Sequence, residues 1–282
     1  MTLIEARDWY RDSLKTEYSN AEIDFYFKAL LTDCFQWQPT QLALEPKREL
    51  ESKELILIQE AQDKLLKRYP LQYITGWAHF RSLKLKVDQR VLIPRPETEE
   101  LVDWILEDCS KHKDGPKELL DMGTGSGCIA IALAKENPQL SVSALAQEKS
   151  IIDLARENAH QNKVKVEFFQ QNLLQMDSLK RSFDMIVSNP PYVTVEEKKE
   201  MKSNVLDHEP HKALFVPDND PLIFYRKILE FATGQLLPKG SIYFEINPLF
   251  IDELCSLIQQ FDYTICKRMD IFGKERMLRL TK

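Results

Sequence analysis

The tetrapeptide Asn189-Pro190-Pro191-Tyr192 carries polar and aromatic groups that suit a planar –NH2 group. Its two prolines fix φ and remove two backbone donors, which leaves the Asn189 side-chain oxygen and the Asn189 and Pro190 carbonyls as acceptors. Tyr192 adds a flat aromatic face. These groups can hold the hydrogens of an –NH2 group and direct its nitrogen lone pair at an electrophile. The alternative is that the tetrapeptide is only a rigid turn after a strand.

A buried strand is predicted directly before this turn. Residues 183–188 read Phe-Asp-Met-Ile-Val-Ser, a short apolar run bounded by a turn signal, as in a buried parallel strand. Open α/β folds keep their ligands at the carboxyl ends of such strands. The turn is therefore expected at a ligand-binding edge of the sheet.

A glycine loop precedes this strand in the chain. Residues 121–128 read Asp-Met-Gly-Thr-Gly-Ser-Gly-Cys between a strand pattern and a helix pattern, where glycines allow a sharp turn and close approach of a ligand. A phosphate-binding P-loop requires Gly-Lys-Ser/Thr, which is absent. A dinucleotide fingerprint requires Gly or Ala where Cys128 stands. The loop resembles instead the S-adenosylmethionine loop of Rossmann-like methyltransferases, and the Asn-Pro-Pro-Tyr turn two strands later strengthens that interpretation.

Strand and helix patterns alternate through the rest of the chain, as in βαβ units. Only residues 270–274 join the last two strands, so these should pair antiparallel. The prediction is an α/β fold with a mostly parallel seven-stranded sheet and one antiparallel strand, entered after a turn at Asp114-Gly115-Pro116. The predicted strands are 119–122, 140–145, 164–169, 183–188, 241–246, 264–269 and 277–280. The predicted helices are 129–136, 149–161, 221–232 and 249–260.

The first seventy or so residues are predicted to be helical. Ser19-Asn20-Ala21-Glu22 has the form of a capping box, and an amphipathic segment follows it. A second segment, 52–69, ends at Pro70. We predict a helical recognition domain over 1–72, a linking hairpin over 73–93 and a catalytic domain over 94–282. The apolar face of the second segment is assigned to Leu55, Ile58, Leu65 and Leu66.

Composition limits the classes of function. A net charge of -6 gives no long-range attraction for phosphate backbones, so we expect no direct nucleic-acid binding. Five cysteines without CxxC spacing indicate free thiols in a reducing cytoplasm. No apolar run is long enough to span a membrane, and no export signal is visible. His208 and His211 lack a further ligand pattern, so we predict a surface segment and no metal.

Four motifs together resemble one family. These are the helical N-terminal region, Pro-Arg-Pro-Glu-Thr-Glu at 94–99, the glycine loop with Asn-Pro-Pro-Tyr, and Phe-Glu-Ile-Asn at 244–247. The chain resembles the HemK/PrmC family, the protein-(glutamine-N5) methyltransferases of peptide chain release factors. The 94–99 motif distinguishes this family from DNA adenine methyltransferases with Asn-Pro-Pro-Tyr, although on physical grounds alone it is adequately explained as a proline-rich helix entry.

The resemblance implies S-adenosylmethionine as cofactor and the glutamine of a release factor's Gly-Gly-Gln loop as substrate. Asn172 then lies near the adenine, with Leu173 as an apolar wall. The amino-acid end of the cofactor is assigned to Asp121 and to the loop amides of Gly123, Thr124, Gly125, Ser126 and Gly127.

The chain departs from the family at one cofactor position. The second strand of the family ends in an acidic residue that accepts from the ribose hydroxyls, but this position falls on Ala146. Losing hydrogen bonds to a charged group costs roughly 1.5–3 kcal/mol, or about ten- to a hundredfold in affinity. Either cofactor binding is weak, Glu148 compensates from two residues away, or the sequence is altered.

The implied reaction is direct methyl transfer. Acceptors at Asn189 and the Pro190 carbonyl would favour a tetrahedral amide nitrogen, and Tyr192 would fix its plane. No general base is obvious. Two alternatives stay open: an N6-adenine methyltransferase that uses the same tetrapeptide, and a non-catalytic binding protein that has lost cofactor affinity through Ala146.

Two further features, a mixed-charge run and a glutamate at a strand end, have more than one interpretation. The run Glu196–Glu200 is either a solvated face or a lid, and Glu245 is either functional or a cap of its strand end. As partners we expect release factors and no membrane, and we expect the protein to be a monomer.

Overall fold

The structure is a computed structural model that describes residues 1–111, 118–176, 178–201 and 203–282. Its described residues form two compact units, one from 1–77 and 203–208 and the other from within 78–201 and 209–282. The predicted turn at Asp114-Gly115-Pro116 lies outside the described residues. No helix in the described ranges has both the length and the apolar character needed to cross a membrane.

The described elements follow one another as helices first and then alternating strands and helices. The helices are α1 Leu3–Leu14, α2 Asn20–Asp33, α3 Gln41–Leu44, α4 Ser52–Leu66, α5 Leu71–Thr75, α6 Pro96–Ser110, α7 Cys128–Glu136, α8 Lys149–Gln161, α9 Ser203–Leu206, α10 His211–Leu214, α11 Ile223–Gln235 and α12 Ile251–Gln259. The strands are β1 Trp77–Phe80, β2 Leu83–Lys86, β3 Glu118–Met122, β4 Ser141–Ala146, β5 Glu167–Gln170, β6 Phe183–Ser188, β7 Val193–Thr194, β8 Phe215–Val216, β9 Leu236–Glu245, β10 Thr264–Met269 and β11 Glu275–Thr281.

Helices α1 to α5 and the short α9 belong to the first unit. The predicted capping box starts α2: the Ser19 amide donates to Glu22 at 2.9 Å, and the Glu22 amide donates back to the Ser19 hydroxyl at 3.3 Å. On α4, Ile58 and Leu65 are buried as predicted, but Leu66 is 42% exposed. The prediction for Leu66 was wrong because the residue after Leu65 lies about 100° further round the helix, beyond the buried stripe.

The second unit is built on a seven-stranded sheet with the order β10-β11-β9-β6-β3-β4-β5. Strand β11 runs antiparallel to both of its neighbours, and the pairings among β9, β6, β3, β4 and β5 are parallel. The predicted fold class is confirmed. Two strand starts differ from the prediction by three residues or more: β5 begins only at Glu167, after Lys163 has adopted a left-handed φ of 58°, and β9 begins early at Leu236.

Side chains of β3 alternate between two cores, one on each face of the sheet. Leu119 packs with residues of α6, α7 and α8, and Leu120 packs with residues of α11 and α12. Both β4 and β6 flank β3, so the chain reverses its direction of winding there. The carboxyl ends of these strands therefore form the crevice in which open α/β folds bind ligands.

Candidate active site

A cavity of about 470 Å³ opens at the carboxyl ends of β3, β4 and β6. The structure brings most of the predicted site residues to its wall, namely Gly123, Thr124, Gly125, Ser126, Ala146, Glu148, Asn172, Leu173, Asn189, Pro190 and Pro191. Asp121, Gly127 and Tyr192 are not part of that wall. The wall also contains residues that the sequence analysis did not assign to the site, among them Thr98, Gln147, Lys212 and Phe224.

The glycine loop is tied to the neighbouring strand by its first amides. The amides of Gly123 and Thr124 donate to the Leu145 carbonyl at 3.0 and 2.9 Å. These two amides are therefore engaged within the protein, and the assignment of the loop amides to the amino-acid end of the cofactor stays a prediction. Within the described chain, the amides of Gly125 and Ser126 donate to no backbone carbonyl. Gly125 has a φ of 53°, and a Cβ added there would meet nothing within 4 Å, so open space lies beside the loop.

Asp121 is fully buried beneath this loop. Its Oδ2 accepts from the Thr124 hydroxyl at 2.6 Å, whereas its Oδ1 has no hydrogen-bond partner among the described residues. Burial raises the pKa of Asp121 to about 7, against the lowering effects of the Thr124 hydroxyl and the Ala130 amide. The buried Ser126 hydroxyl is likewise without a partner in the described structure. Unsatisfied buried polar atoms are costly, and a polar ligand group would relieve that cost.

Asn158 on α8 holds the glycine loop from behind. Its Nδ2 donates to the Ser126 carbonyl at 2.9 Å and to the Lys86 carbonyl at 3.0 Å. Its Oδ1 accepts from the Lys86 amide at 2.7 Å. This buried side chain therefore links the loop to β2, a role that nothing in its local sequence indicated.

The cavity wall at the end of β4 includes Ala146, the position at which this sequence departs from the family pattern. Ala146 is the last residue of β4 and is buried, and Glu148 stands two residues further on. The Lys212 ammonium donates to Glu148 Oε1 at 2.9 Å, and the Glu148 side chain is 43% exposed. Glu148 thus places a carboxylate beside the cavity, but a lysine already engages it. Further along the wall, Asn172 Oδ1 accepts from the Leu174 amide at 3.0 Å.

A buried carboxylate organises the Asn-Pro-Pro-Tyr turn. Glu245 ends β9 and is 1% exposed. The Thr98 hydroxyl donates to its Oε2 at 2.6 Å, and the Tyr192 hydroxyl donates to its Oε1 at 2.9 Å. Asn189 joins this network because its Nδ2 donates to the Thr98 hydroxyl at 3.1 Å. Burial raises the pKa of Glu245, while the Thr98 and Tyr192 hydroxyls and the Arg276 charge oppose that shift.

A second network holds the chain beyond Tyr192. Asn247 Nδ2 donates to the Tyr192 carbonyl at 3.1 Å and to Glu197 Oε2 at 3.0 Å. Glu197 also accepts from the amide and the hydroxyl of Thr194, each at 2.8 Å. Most of the mixed-charge run 196–200 is exposed, as the solvated-face interpretation expected, but Glu197 is partly buried and braces the turn.

The segment around His208 is not simply a surface segment. Glu209 is 4% exposed, accepts from the Ile93 amide at 3.2 Å and forms an ion pair with Arg95 at 2.6 Å. The surface interpretation was therefore wrong for Glu209. Glu209 lies between two histidines in a short polar segment, so the local sequence gave no sign that it is buried. Only the fold shows that its partners lie more than a hundred residues earlier.

The sheet order, the glycine loop and the position of the cavity define a Rossmann-like methyltransferase. A methyltransferase from Pyrococcus furiosus shares this fold with a TM-score of 0.54 over 79% of this chain and 98% of its own, at 17% identity. Family models match in two places: PrmC N-terminal domain over residues 5–76 and Methyltransferase small domain over 103–213.

Curated relatives match most or nearly all of the chain. The release factor glutamine methyltransferase of Flavobacterium psychrophilum is 41% identical over 99% of both chains. The release factor glutamine methyltransferase of Lactococcus lactis is 45% identical over 82% of this chain and 84% of its own. The chain belongs to the release factor glutamine methyltransferase family.

Proposed function

We propose that this enzyme transfers a methyl group from S-adenosylmethionine to the side-chain amide nitrogen of the glutamine in the Gly-Gly-Gln loop of peptide chain release factors. The observation that carries the proposal is that Asn189 and Pro190 line the same cavity as the glycine loop. A set of hydrogen-bond acceptors thus shares one crevice with a loop typical of S-adenosylmethionine binding. The names of the full-length relatives support the same substrate.

The residues of the cavity wall, together with Asp121 buried beneath the glycine loop, fit this cofactor. The unpartnered Asp121 Oδ1 suits an ammonium group, and the amides of Gly125 and Ser126 suit a carboxylate. Leu173 offers an apolar wall, and Asn172 stands beside it. When bound, S-adenosylmethionine supplies a methyl group on a positively charged sulfur.

The contribution of the chain is to hold and orient the substrate amide. Asn189 Oδ1 and the Pro190 carbonyl accept the two amide hydrogens, which favours a tetrahedral nitrogen and stabilises the positive charge that develops on it. Tyr192, anchored through its hydroxyl on Glu245, supports the turn from behind. Since these groups are held by buried partners, much of the acceleration comes from orientation.

The protein substrate also suggests roles beyond the site. We propose that the helical unit recognises the body of the release factor, and that the enzyme works in the cytoplasm, where release factors act. The monomeric state stays a prediction.

The test is a methylation assay with S-adenosylmethionine and a full-length release factor in one reaction and duplex DNA in another. Mass spectrometry should find one added methyl on the Gly-Gly-Gln peptide and none on adenine. Asn189→Ala is the matched control and should abolish the product. Methyl on adenine alone would overturn the proposal in favour of the N6-adenine activity. If neither substrate is methylated at high cofactor concentration, restoring an acidic residue at Ala146 tests whether cofactor affinity is the defect.

A further inference from the structure

We propose that Thr98 and Glu245 are positioning residues that fix which end of the Asn189 side-chain amide faces the substrate, and thereby make the site selective for a glutamine amide over a glutamate carboxylate. This inference rests on the proposed function and deepens it. It assigns a role to a residue of α6 that lies 91 positions before Asn189 in the chain.

The hydrogen-bond directions follow from the number of protons available. A threonine hydroxyl has one proton to donate, and an ionised carboxylate has none. Each oxygen of the buried Glu245 carboxylate accepts from a hydroxyl, Oε2 from Thr98 at 2.6 Å and Oε1 from Tyr192 at 2.9 Å, so the Thr98 proton is committed to this carboxylate. Towards Asn189 the hydroxyl can therefore only accept.

This acceptor selects one orientation of the Asn189 amide. With Nδ2 towards Thr98 at 3.1 Å, Asn189 donates and both groups are satisfied. The reversed amide would place Oδ1 against the Thr98 lone pairs. Thr98 is 2% exposed, so water does not reach it freely to relieve that contact. The selected orientation leaves Oδ1 for the substrate.

The orientation determines which substrate group the site accepts. A glutamine –NH2 group donates hydrogens and is matched by Asn189 Oδ1, whereas a glutamate carboxylate accepts and would meet that oxygen as a second acceptor. Sites built to pair with a substrate N–H reject analogues that lack it. Without the Thr98 hydroxyl, either end of the Asn189 amide can face the substrate. The preference for glutamine over glutamate should therefore weaken.

The experiment compares binding of two release factors, one natural and one with the Gly-Gly-Gln glutamine replaced by glutamate. Dissociation constants are measured by calorimetry with S-adenosylhomocysteine present, for the wild type, Thr98→Val and Thr98→Ser. We expect the wild type to prefer glutamine, and the ratio of the two constants to fall about tenfold or more in Thr98→Val. Thr98→Ser retains the hydroxyl and should retain the ratio. The kcat for glutamine should fall about 10- to 100-fold in Thr98→Val and recover in Thr98→Ser.

Thr233→Val is the matched control, because it removes a hydroxyl that donates to the Leu229 carbonyl within α11, outside the site. It should leave the ratio unchanged. If Thr98→Val does not fold, Thr98→Ala serves the same comparison. A lower kcat with an unchanged ratio, or a wild type without a preference, would overturn this inference. Failure of the proposed function would be seen in a different measurement, because the wild type would then place no methyl on glutamine.

Discussion

At the scale of single residues, Asp121 is a buried carboxyl group whose charge depends on what binds beside it. Burial raises its pKa to about 7, and one of its oxygens lacks a hydrogen-bond partner among the described residues. Below pH 7 the ligand-free carboxyl group therefore carries a proton. A ligand ammonium needs the ionised form, so binding must expel that proton.

Cofactor affinity should consequently fall as the pH falls. We expect the Kd for S-adenosylhomocysteine to rise about tenfold per pH unit below about pH 7, which is the slope for release of one proton. Calorimetry between pH 5.5 and 7.5 measures this. Asp121→Asn should bind more weakly and lose the slope. A wild-type affinity that does not vary with pH would contradict the role assigned to Asp121.

Ala146 leads to a second prediction at this scale. Ala146→Asp places a carboxylate at the end of β4, on the cavity wall, where the ribose hydroxyls can donate to it. We expect S-adenosylmethionine affinity to rise about ten- to a hundredfold. Ala146→Asn is the control with the same shape and no charge, and it should gain less. An unchanged affinity in Ala146→Asp, measured by calorimetry, would mean that Glu148 already fills the role.

Local motifs predicted candidate residues that the structure places on the cavity wall, and missed residues whose partners lie far away in the chain. The Asn-Pro-Pro-Tyr turn and the glycine loop carry their chemistry in consecutive residues. Thr98 is adequately explained locally as part of a helix start, and only the pairing of α6 with the end of β9 brings its hydroxyl to Glu245. Asn158 was missed for the same reason, since its partners are on β2 and the glycine loop.

At the scale of elements, the start of α7 depends on a glycine for two separate reasons. Gly127 has a φ of 86°, and a Cβ there would lie 2.8 Å from Ile131 Cδ1. Gly273, in the turn between β10 and β11, has a similar φ of 76° but no atom within 4 Å of an added Cβ. Comparing substitutions at these two positions therefore separates the cost of backbone strain from the cost of crowding.

Gly127→Ala should therefore destabilise the protein more than Gly273→Ala. Both substitutions incur about 1–2 kcal/mol for a left-handed residue, and crowding at Gly127 adds about 1 kcal/mol or more. Urea unfolding of both variants measures the difference. Gly127→Ala should also weaken cofactor binding because it shifts the loop. Equal losses of unfolding free energy would mean that Ile131 moves aside without cost.

Periodicity predicted most elements of the sheet unit well, since β6, β10 and α8 begin and end where the sequence indicated. Predicted strand boundaries were wrong where pairing with a neighbouring strand extends a strand through residues, such as proline and glycine, that rarely occur in strands. Strand β9 continues back through Pro238 and Gly240 to Leu236, which pairs with Phe183 of β6. That partnership is not visible in the local sequence.

At the scale of the whole molecule, the helical unit contains residues from two distant parts of the chain. Residues 203–208 belong to it together with 1–77. The His208 ring stacks on Tyr69 with ring centroids 3.9 Å apart, and its Nε2 lies 2.9 Å from the Lys67 carbonyl. The sequence predicted that strands and helices alternate in the second unit. It did not predict that residues 203–208 belong to the helical unit, because a six-residue segment has no periodic signal.

His208→Ala should loosen the end of the helical unit. Losing the ring contact costs about 0.5–1.5 kcal/mol, so amide hydrogen exchange should quicken near the end of α4 and in the residues that follow it. The control is His211→Ala, whose ring contacts Phe215 in the other unit. It should leave exchange in α4 unchanged. Equal exchange in all three proteins would show that residues 203–208 do not stabilise the helical unit.

A ribosome that synthesises this chain delivers residues 1–77 well before residues 203–208. His208 follows Trp77 by about 130 residues, and at 5–20 residues per second their synthesis takes roughly 7–26 s. Throughout that interval the nascent helical unit lacks the ring that covers Tyr69. Completion of the N-terminal unit is thus coupled to translation of the later half, because Tyr69 gains its ring contact only after His208 has been synthesised.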